Sequence, residues 1–176
     1  MRISLFLIII VMTIVLIYSF QAYKLDRNFE TIRLSKLKIE GKMGQEIFSQ
    51  DSSRPTVLIW FHPDCEHCQY QLTTINCNME RLQMVRFLFI TDEKTFFSNN
   101  YRIKWPDLVQ SSKTIFGIIE KSRFIREFGP VITPSLLFFN HDGILKKKLL
   151  GEVKIEKIVQ LINNHPVPEQ MISGSN

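Results

Sequence analysis

The sequence predicts an α/β domain built on a parallel strand–helix–strand unit, standing behind an apolar N-terminal helix. Three observations carry that prediction. Residues 55–62, PTVLIWFH, and 85–91, VRFLFIT, are continuous β-branched and aromatic runs of the kind buried on both faces of a sheet. Between them Cys68, Leu72, Ile75, Met79 and Leu82 recur at helical spacing and define one apolar face. A strand, a helix of about 18 residues and a second strand form a unit whose two strands pair in parallel. Ahead of all this, Ile3–Phe20 reads ISLFLIIIVMTIVLIYSF without a single charge.

Composition narrows the class. The chain of 176 residues is 45% hydrophobic and 22% charged, so it can bury an ordinary core and is not disordered in the main. Three cysteines are too few for a disulfide-stapled scaffold, and a chain of this length needs no staple. The formal charge of +5 is mild and its cations are scattered, so no nucleic-acid partner is expected. There is no internal repeat and no low-complexity segment.

As a helix, residues 3–20 would run roughly 27 Å, close to the ~30 Å hydrocarbon core of a bilayer. A cleavable signal peptide competes with this reading. Ala22 would serve at −1 of the cut, but Phe20 would then stand at −3, where a ring fits badly. The expectation is therefore an uncleaved anchor over residues 1–22, a domain over 23–163 with a linker or hairpin to about residue 54, and a tail over 164–176.

The remaining elements follow in order. Residues 32–48 hold Gly41 and Gly44 between two partly alternating segments, which predicts a hairpin or a short strand and loop. Residues 92–112 read as irregular. A helix is predicted around Lys113–Glu127, burying Ile115, Phe116, Ile119 and Phe124 and ended by Gly129-Pro130. SLLFFN (135–140), the turn at Asp142-Gly143 and ILKKKLL (144–150) predict an antiparallel hairpin. Lys146–Lys148 reads as a solvated edge strand. A last helix over Val153–Asn163 places Ile155, Ile158, Val159 and Ile162 on one face.

The chemistry gathers at Cys65-Glu66-His67-Cys68, between a buried strand and a helix start. A thiol at a helix N-terminus faces unpaired N–H groups and the positive end of the dipole, which favours its thiolate. Cys65 is thus the candidate nucleophile and Cys68, one turn on, the resolving thiol with which it closes a disulfide. His67 is a candidate for tuning the thiolate by its positive charge. A structural zinc site lacks its second cysteine pair. A copper-carrying site built from Cys65, Cys68 and a histidine, and a purely structural disulfide, stay open as alternatives. No cofactor is expected, since the thiol pair would itself carry the electrons.

PTVLIWFHPDCEHCQYQ, followed about 70 residues later by VITPSLLFFNHDGILKKKLLGEV, resembles the thioredoxin superfamily, most closely its TlpA-like, membrane-anchored bacterial thiol-disulfide oxidoreductases. The resemblance covers residues 32–163 and implies a central mixed sheet flanked by helices. It further implies a cis peptide at Pro134, with the Thr133 backbone pairing with an extended substrate segment. Reductase activity on protein thiols and disulfides, and an upstream electron donor for which a membrane protein is a candidate, belong to the same implication; oxidase or isomerase activity stays open beside it. Two positions depart from the family: Asp64 stands where a tryptophan precedes the first cysteine, and Ile59 where a buried acid assists proton transfer. Asp64 would cap the helix, but its charge and that of Glu66 oppose the thiolate. A peroxidase is disfavoured because His62 replaces the threonine three residues before a peroxidatic cysteine.

Cys77 lies about 13.5 Å beyond Cys68 along the helix, out of disulfide reach, and reads as a small apolar filler. Topology is where composition and resemblance disagree. Lys24, Arg27, Arg33, Lys36 and Lys38 follow the apolar span, which favours a cytoplasmic domain, against only Arg2 before it. Anchored relatives hold the domain outside the inner membrane, where disulfides persist. The expectation is a periplasmic or extracytoplasmic domain.

Overall fold

The computed structural model describes residues 10–18, 32–34, 37, 39–40, 54–98 and 101–164. Helix α1 (residues 10–18) is part of the apolar span 3–20, and the rest of that span lies outside the described residues, as do residues 41–53 and the tail from 165. Among the described residues no helix is long and apolar enough to cross a membrane. Ile10, Val11, Met12, Ile14, Val15, Leu16 and Ile17 of α1 are all exposed.

Five strands form one mixed sheet in the order β3-β2-β1-β4-β5. The strands are β1 (Thr56–Trp60), β2 (Arg86–Thr91), β3 (Thr114–Ile118), β4 (Ser135–Phe139) and β5 (Leu145–Leu150). β1 and β2 pair in parallel, as do β2 and β3, whereas β4 runs antiparallel to both β1 and β5. The helices are α2 (Glu66–Asn76), α3 (Tyr101–Lys104), α4 (Pro106–Gln110), α5 (Lys121–Phe128) and α6 (Ile155–Asn163). The strand–helix–strand unit and the hairpin expected from the sequence are both present.

Side chains of a strand alternate between faces, so this sheet sorts its apolar residues into two cores. Val57, Ile59, Phe87, Phe89, Leu136 and Phe138 face α2 and α6, where Leu72, Ile75, Ile155, Ile158 and Ile162 cover them. Leu58, Trp60, Leu88, Ile90, Leu137 and Phe139 face the other way, against Phe124 and Phe128 of α5. Trp60 and Phe124 meet with ring centroids 4.3 Å apart.

The chain ahead of β1 completes the second core. Arg33 bridges Ile144 beside β5, and Glu40 exchanges two backbone hydrogen bonds with Ile118 at the end of β3. Between these edge contacts Leu34, Leu37 and Ile39 are buried against the sheet. The described part of 32–48 is thus a strap across the sheet face, joined to both edges, while the turn expected at Gly41 and Gly44 lies outside the described residues.

The helix expected over Lys113–Glu127 is instead β3 followed by α5. TIFGI satisfies either period in isolation; what decides is the neighbourhood. Phe116 stacks on Phe89 at 4.9 Å, and Gly117 leaves room for the strap, because a Cβ built there would lie 1.9 Å from Ile39 Cγ2. The helix after Cys65 is also shorter than expected. α2 ends at Asn76, and a 3-10 turn, Met79–Leu82, carries the apolar face onward.

Gly117→Ala drives a methyl into Ile39, and overpacking of this kind costs about 1–3 kcal/mol. Urea unfolding is expected to show that loss, with part of it returned in the Gly117→Ala, Ile39→Ala double variant. Equal stability of Gly117→Ala and wild type would mean that the strap does not press on β3.

Candidate active site

β1 ends at Trp60, opposite Ser135 of β4, so the residues after β1 and before β4 emerge side by side. Past Phe61 the chain turns tightly: the Cys65 N–H donates to the His62 carbonyl at 3.2 Å, and the Asp64 N–H to His62 Nδ1 at 3.2 Å. The turn is tied to the helix it starts by Gln69, whose Nε2 donates to the Pro63 carbonyl at 2.7 Å. Cys65 is the N-cap of α2, with extended backbone, and its sulfur accepts the Cys68 N–H at 3.3 Å. Asp64, expected at that position, stands one residue outside it.

From the other side, the Cys65 thiol donates to the Thr133 carbonyl at 3.8 Å, and the Thr133–Pro134 peptide is cis. Both sulfurs are free thiols here; Cys65 is half-buried and Cys68 buried. Burial, together with the adjacent Cys65 sulfur, pushes the Cys68 thiol up from 9.0 to about 12, against the lowering effect of the His62 backbone and the Thr133 hydroxyl. One sulfur is therefore reachable and the other is withheld as a thiol beneath it.

His67, exposed, turns its ring to Glu152 on the loop between β5 and α6. That loop is held more firmly from below. Gln71, buried in α2, donates from Nε2 to the Val153 carbonyl at 3.1 Å, and its Oε1 accepts the Val153 N–H at 2.7 Å. The Gly151 N–H donates to the Pro134 carbonyl at 2.8 Å. An exposed ion pair is worth about 0–1 kcal/mol, whereas each buried backbone group left unpaired costs about 1–3 kcal/mol. Gln71, more than His67, keeps the 151–153 loop against the helix and against Pro134.

Further hydrogen bonds brace α2 from outside. Trp105 Nε1 donates to Thr73 Oγ1 at 3.1 Å, and Asn76 Oδ1 accepts the Leu108 N–H at 3.1 Å. Glu93, on the loop after β2, is held below the usual carboxylate range by the Thr95 N–H and hydroxyl, and lies 4.0 Å from His62 Nε2. Cys77 is exposed at the C-cap of α2, a correction to the apolar filler expected, because the helix stops before the chain reaches the core again. Among the described residues no group of three or more His, Cys, Asp or Glu is placed to hold a metal ion.

The structure thus brings Cys65, Cys68, Thr133 and Pro134 together and aims His67 at Glu152. Gln71 and the 151–153 loop escaped the sequence reading. A signal existed: Gln71 sits beside Leu72 on the face that Cys68 and Ile75 bury, where a polar amide requires partners.

The sheet order, the helix-start Cys-x-x-Cys and the cis-proline loop define a thioredoxin-like fold with its paired thiols at the head of α2. Solved structures share that fold. MTB dsbF, determined in its mixed oxidized and reduced forms, superposes with a TM-score of 0.61 at 14% identity, covering 75% of this chain and 96% of its own. A peroxiredoxin-like protein from Aquifex aeolicus gives 0.59 at 12% identity, over 73% and 82%. A secreted Mycobacterium tuberculosis disulfide oxidoreductase homologous to E. coli DsbE gives 0.58 at 12% identity, over 73% and 95%. No protein-family model matches the chain, and no curated protein matches its sequence.

Gln71→Leu keeps the apolar volume but strands the Val153 N–H and carbonyl, and is expected to cost about 1–3 kcal/mol. Urea unfolding measures the loss; unchanged stability would show that the loop is held elsewhere.

Proposed function

We propose that the chain is a thiol-disulfide oxidoreductase that reduces protein disulfides through Cys65 and Cys68. The observation that carries the reading is the inequality of the two thiols. Cys65 is half-buried at the head of α2, between the Cys68 N–H and the Thr133 carbonyl, and Cys68 is buried one turn below. In the forward step the Cys65 thiolate attacks one sulfur of a partner disulfide. A mixed disulfide forms, and the partner's other sulfur leaves as a thiolate that takes up a proton. Cys68, on losing its proton, attacks the Cys65 sulfur. The Cys65–Cys68 disulfide closes and the second partner thiol is released, so two electrons have passed from this chain to the partner. A dithiol donor upstream returns the chain to its reduced form by the same steps in reverse. The fold shared with disulfide oxidoreductases supports this assignment, and His62 before Cys65 disfavours the peroxidase chemistry of other proteins with the fold.

Thr133 supplies the backbone edge along which an extended substrate segment pairs beside Pro134, and His67 contributes charge at the rim. The chain is held at the inner membrane by residues 3–20, with the domain on the periplasmic or outer side. The absence of charge over that span and the exposure of apolar side chains all round α1 support the anchor. The instability of exchangeable disulfides in a reducing cytosol supports the side.

Cys68→Ser is expected to trap partners as mixed disulfides on Cys65, seen as adducts on a non-reducing gel, while Cys65→Ser traps none. Equal trapping by both variants would reverse or dissolve the assignment of the two thiols. For topology, protease added to intact spheroplasts is expected to digest the domain. Protection until the membrane is lysed would place it in the cytoplasm, as the cationic flank at Lys24–Lys38 demands.

A further inference from the structure

We propose that Lys148 is a positioning residue for the exchange reaction: its ammonium group clamps the loop carrying Thr133 and so fixes the carbonyl that faces the Cys65 sulfur. The inference rests on the oxidoreductase reading above. It begins from a departure within the lysine run of β5. Lys147 is exposed, as a solvated edge predicts, but Lys148 is half-buried, its ammonium turned onto backbone carbonyls. Its Nζ donates to the Phe128 carbonyl at 3.0 Å and to the Pro130 carbonyl. Between those two residues lies Gly129 with φ +75°, and a Cβ built there would stand 3.7 Å from the Lys148 Nζ. The lysine therefore closes over the turn in which α5 ends and the Thr133 loop begins.

The residue type suits the task. The last carbonyls of a helix lack internal partners and carry the negative end of its dipole. An ammonium offers three donors and a positive charge, enough to satisfy two converging carbonyls at once. Burial lowers the pKa of Lys148, the mark of a cation drawn partly out of water for these contacts.

The far end of the loop is pinned separately. Ser135 Oγ, buried, donates to the Ile132 carbonyl at 2.5 Å and accepts the Ile132 N–H at 3.3 Å, while the Gly151 N–H holds the Pro134 carbonyl. Thr133 lies within this second anchorage, flanked by Ile132 and Pro134 and three residues past the Lys148 clamp at Pro130, with its carbonyl 3.8 Å from Cys65 Sγ. Lys148 touches neither sulfur and reaches the reaction only through that loop. Its loss would leave β4 and the thiols in place and free the 128–131 end of the loop to shift.

The test compares Lys148→Met, which keeps the length and removes the donors, with Lys148→Arg, which keeps donors and charge. With the disulfides of insulin as substrate, Lys148→Met is expected to lose about tenfold in kcat/KM, mostly through KM, a smaller loss than the roughly hundredfold that misplacement by a full ångström can cost. The reaction of reduced protein with Ellman's reagent, which has no backbone to pair with Thr133, is expected to change less than the insulin reaction. Lys148→Arg should recover most of the insulin activity. Hydrogen exchange should show faster exchange at 129–133 in Lys148→Met, with β1 and β2 unchanged. Wild-type insulin kinetics and wild-type protection at 129–133 would overturn the proposal. So would an equal loss with insulin and Ellman's reagent, which would mean general damage to the site. If the wild-type protein fails to reduce insulin, the oxidoreductase reading falls, and hydrogen exchange still decides whether Lys148 holds the loop.

Discussion

The antiparallel register of β1 on β4 is the constraint on which the site depends. Five residue pairs, from Thr56↔Phe139 to Trp60↔Ser135, bring the end of one strand level with the start of the other. Cys65 follows the first and Thr133 precedes the second, which is how groups 68 residues apart in sequence come within hydrogen-bond reach. A slip of one residue would exchange the two faces of a strand. Both faces of this sheet are apolar, so hydrophobic pattern alone penalises such a slip weakly. Shape does it instead. Trp60 fills one side against Phe124, while Val57 and Ile59 fit beneath α2 and α6 on the other. The geometry of the thiols is in this sense a consequence of core packing some distance below them.

The same principle explains which parts of the fold were legible in the sequence. β1, β2, β4 and β5 are written as apolar or alternating runs with turn residues between them, and local pattern identifies them. β3 is not, because Ile115, Phe116, Ile119 and Phe124 suit a helix face as well as a strand and the next helix. The deciding facts are Phe89 alongside and Ile39 above Gly117, both tertiary. The strap shows the same limit. Leu34, Leu37 and Ile39 read as a partly alternating segment, but nothing local states that they cross from β5 to β3.

For the site, the division falls between side chains that do chemistry and side chains that hold backbone. Cys65 and Cys68 belong to a spacing that announces itself, whereas Thr133 and Pro134 were legible only through the family resemblance. Gln71 and Ser135 act on carbonyls and amides of other segments, and a sequence does not show which backbone groups a fold will leave unpaired. Asp64 illustrates the converse. It is a good cap by type, yet the turn closed by His62 places Cys65 in the cap position, and the thiol takes over the hydrogen bond that a carboxylate was expected to accept.

Ile59 bears most directly on how the second step proceeds. In the exchange we propose, Cys68 loses its proton with no carboxylate at position 59 to accept it, and in the dithiol its thiol is pushed up to about 12. Burial is the largest cause; two further causes depend on the state of Cys65, since the hydrogen bond with its sulfur and the charge on that sulfur both raise Cys68 while Cys65 is free. Once Cys65 is bonded to a partner in a mixed disulfide, it carries no charge, and the repulsion of a second anion disappears. The His62 backbone and the Thr133 hydroxyl favour the Cys68 thiolate. On that proposal the resolving thiol becomes more acidic once its neighbour has reacted. That ordering keeps the dithiol from carrying two adjacent anions at rest and releases the second nucleophile only when there is a mixed disulfide for it to attack.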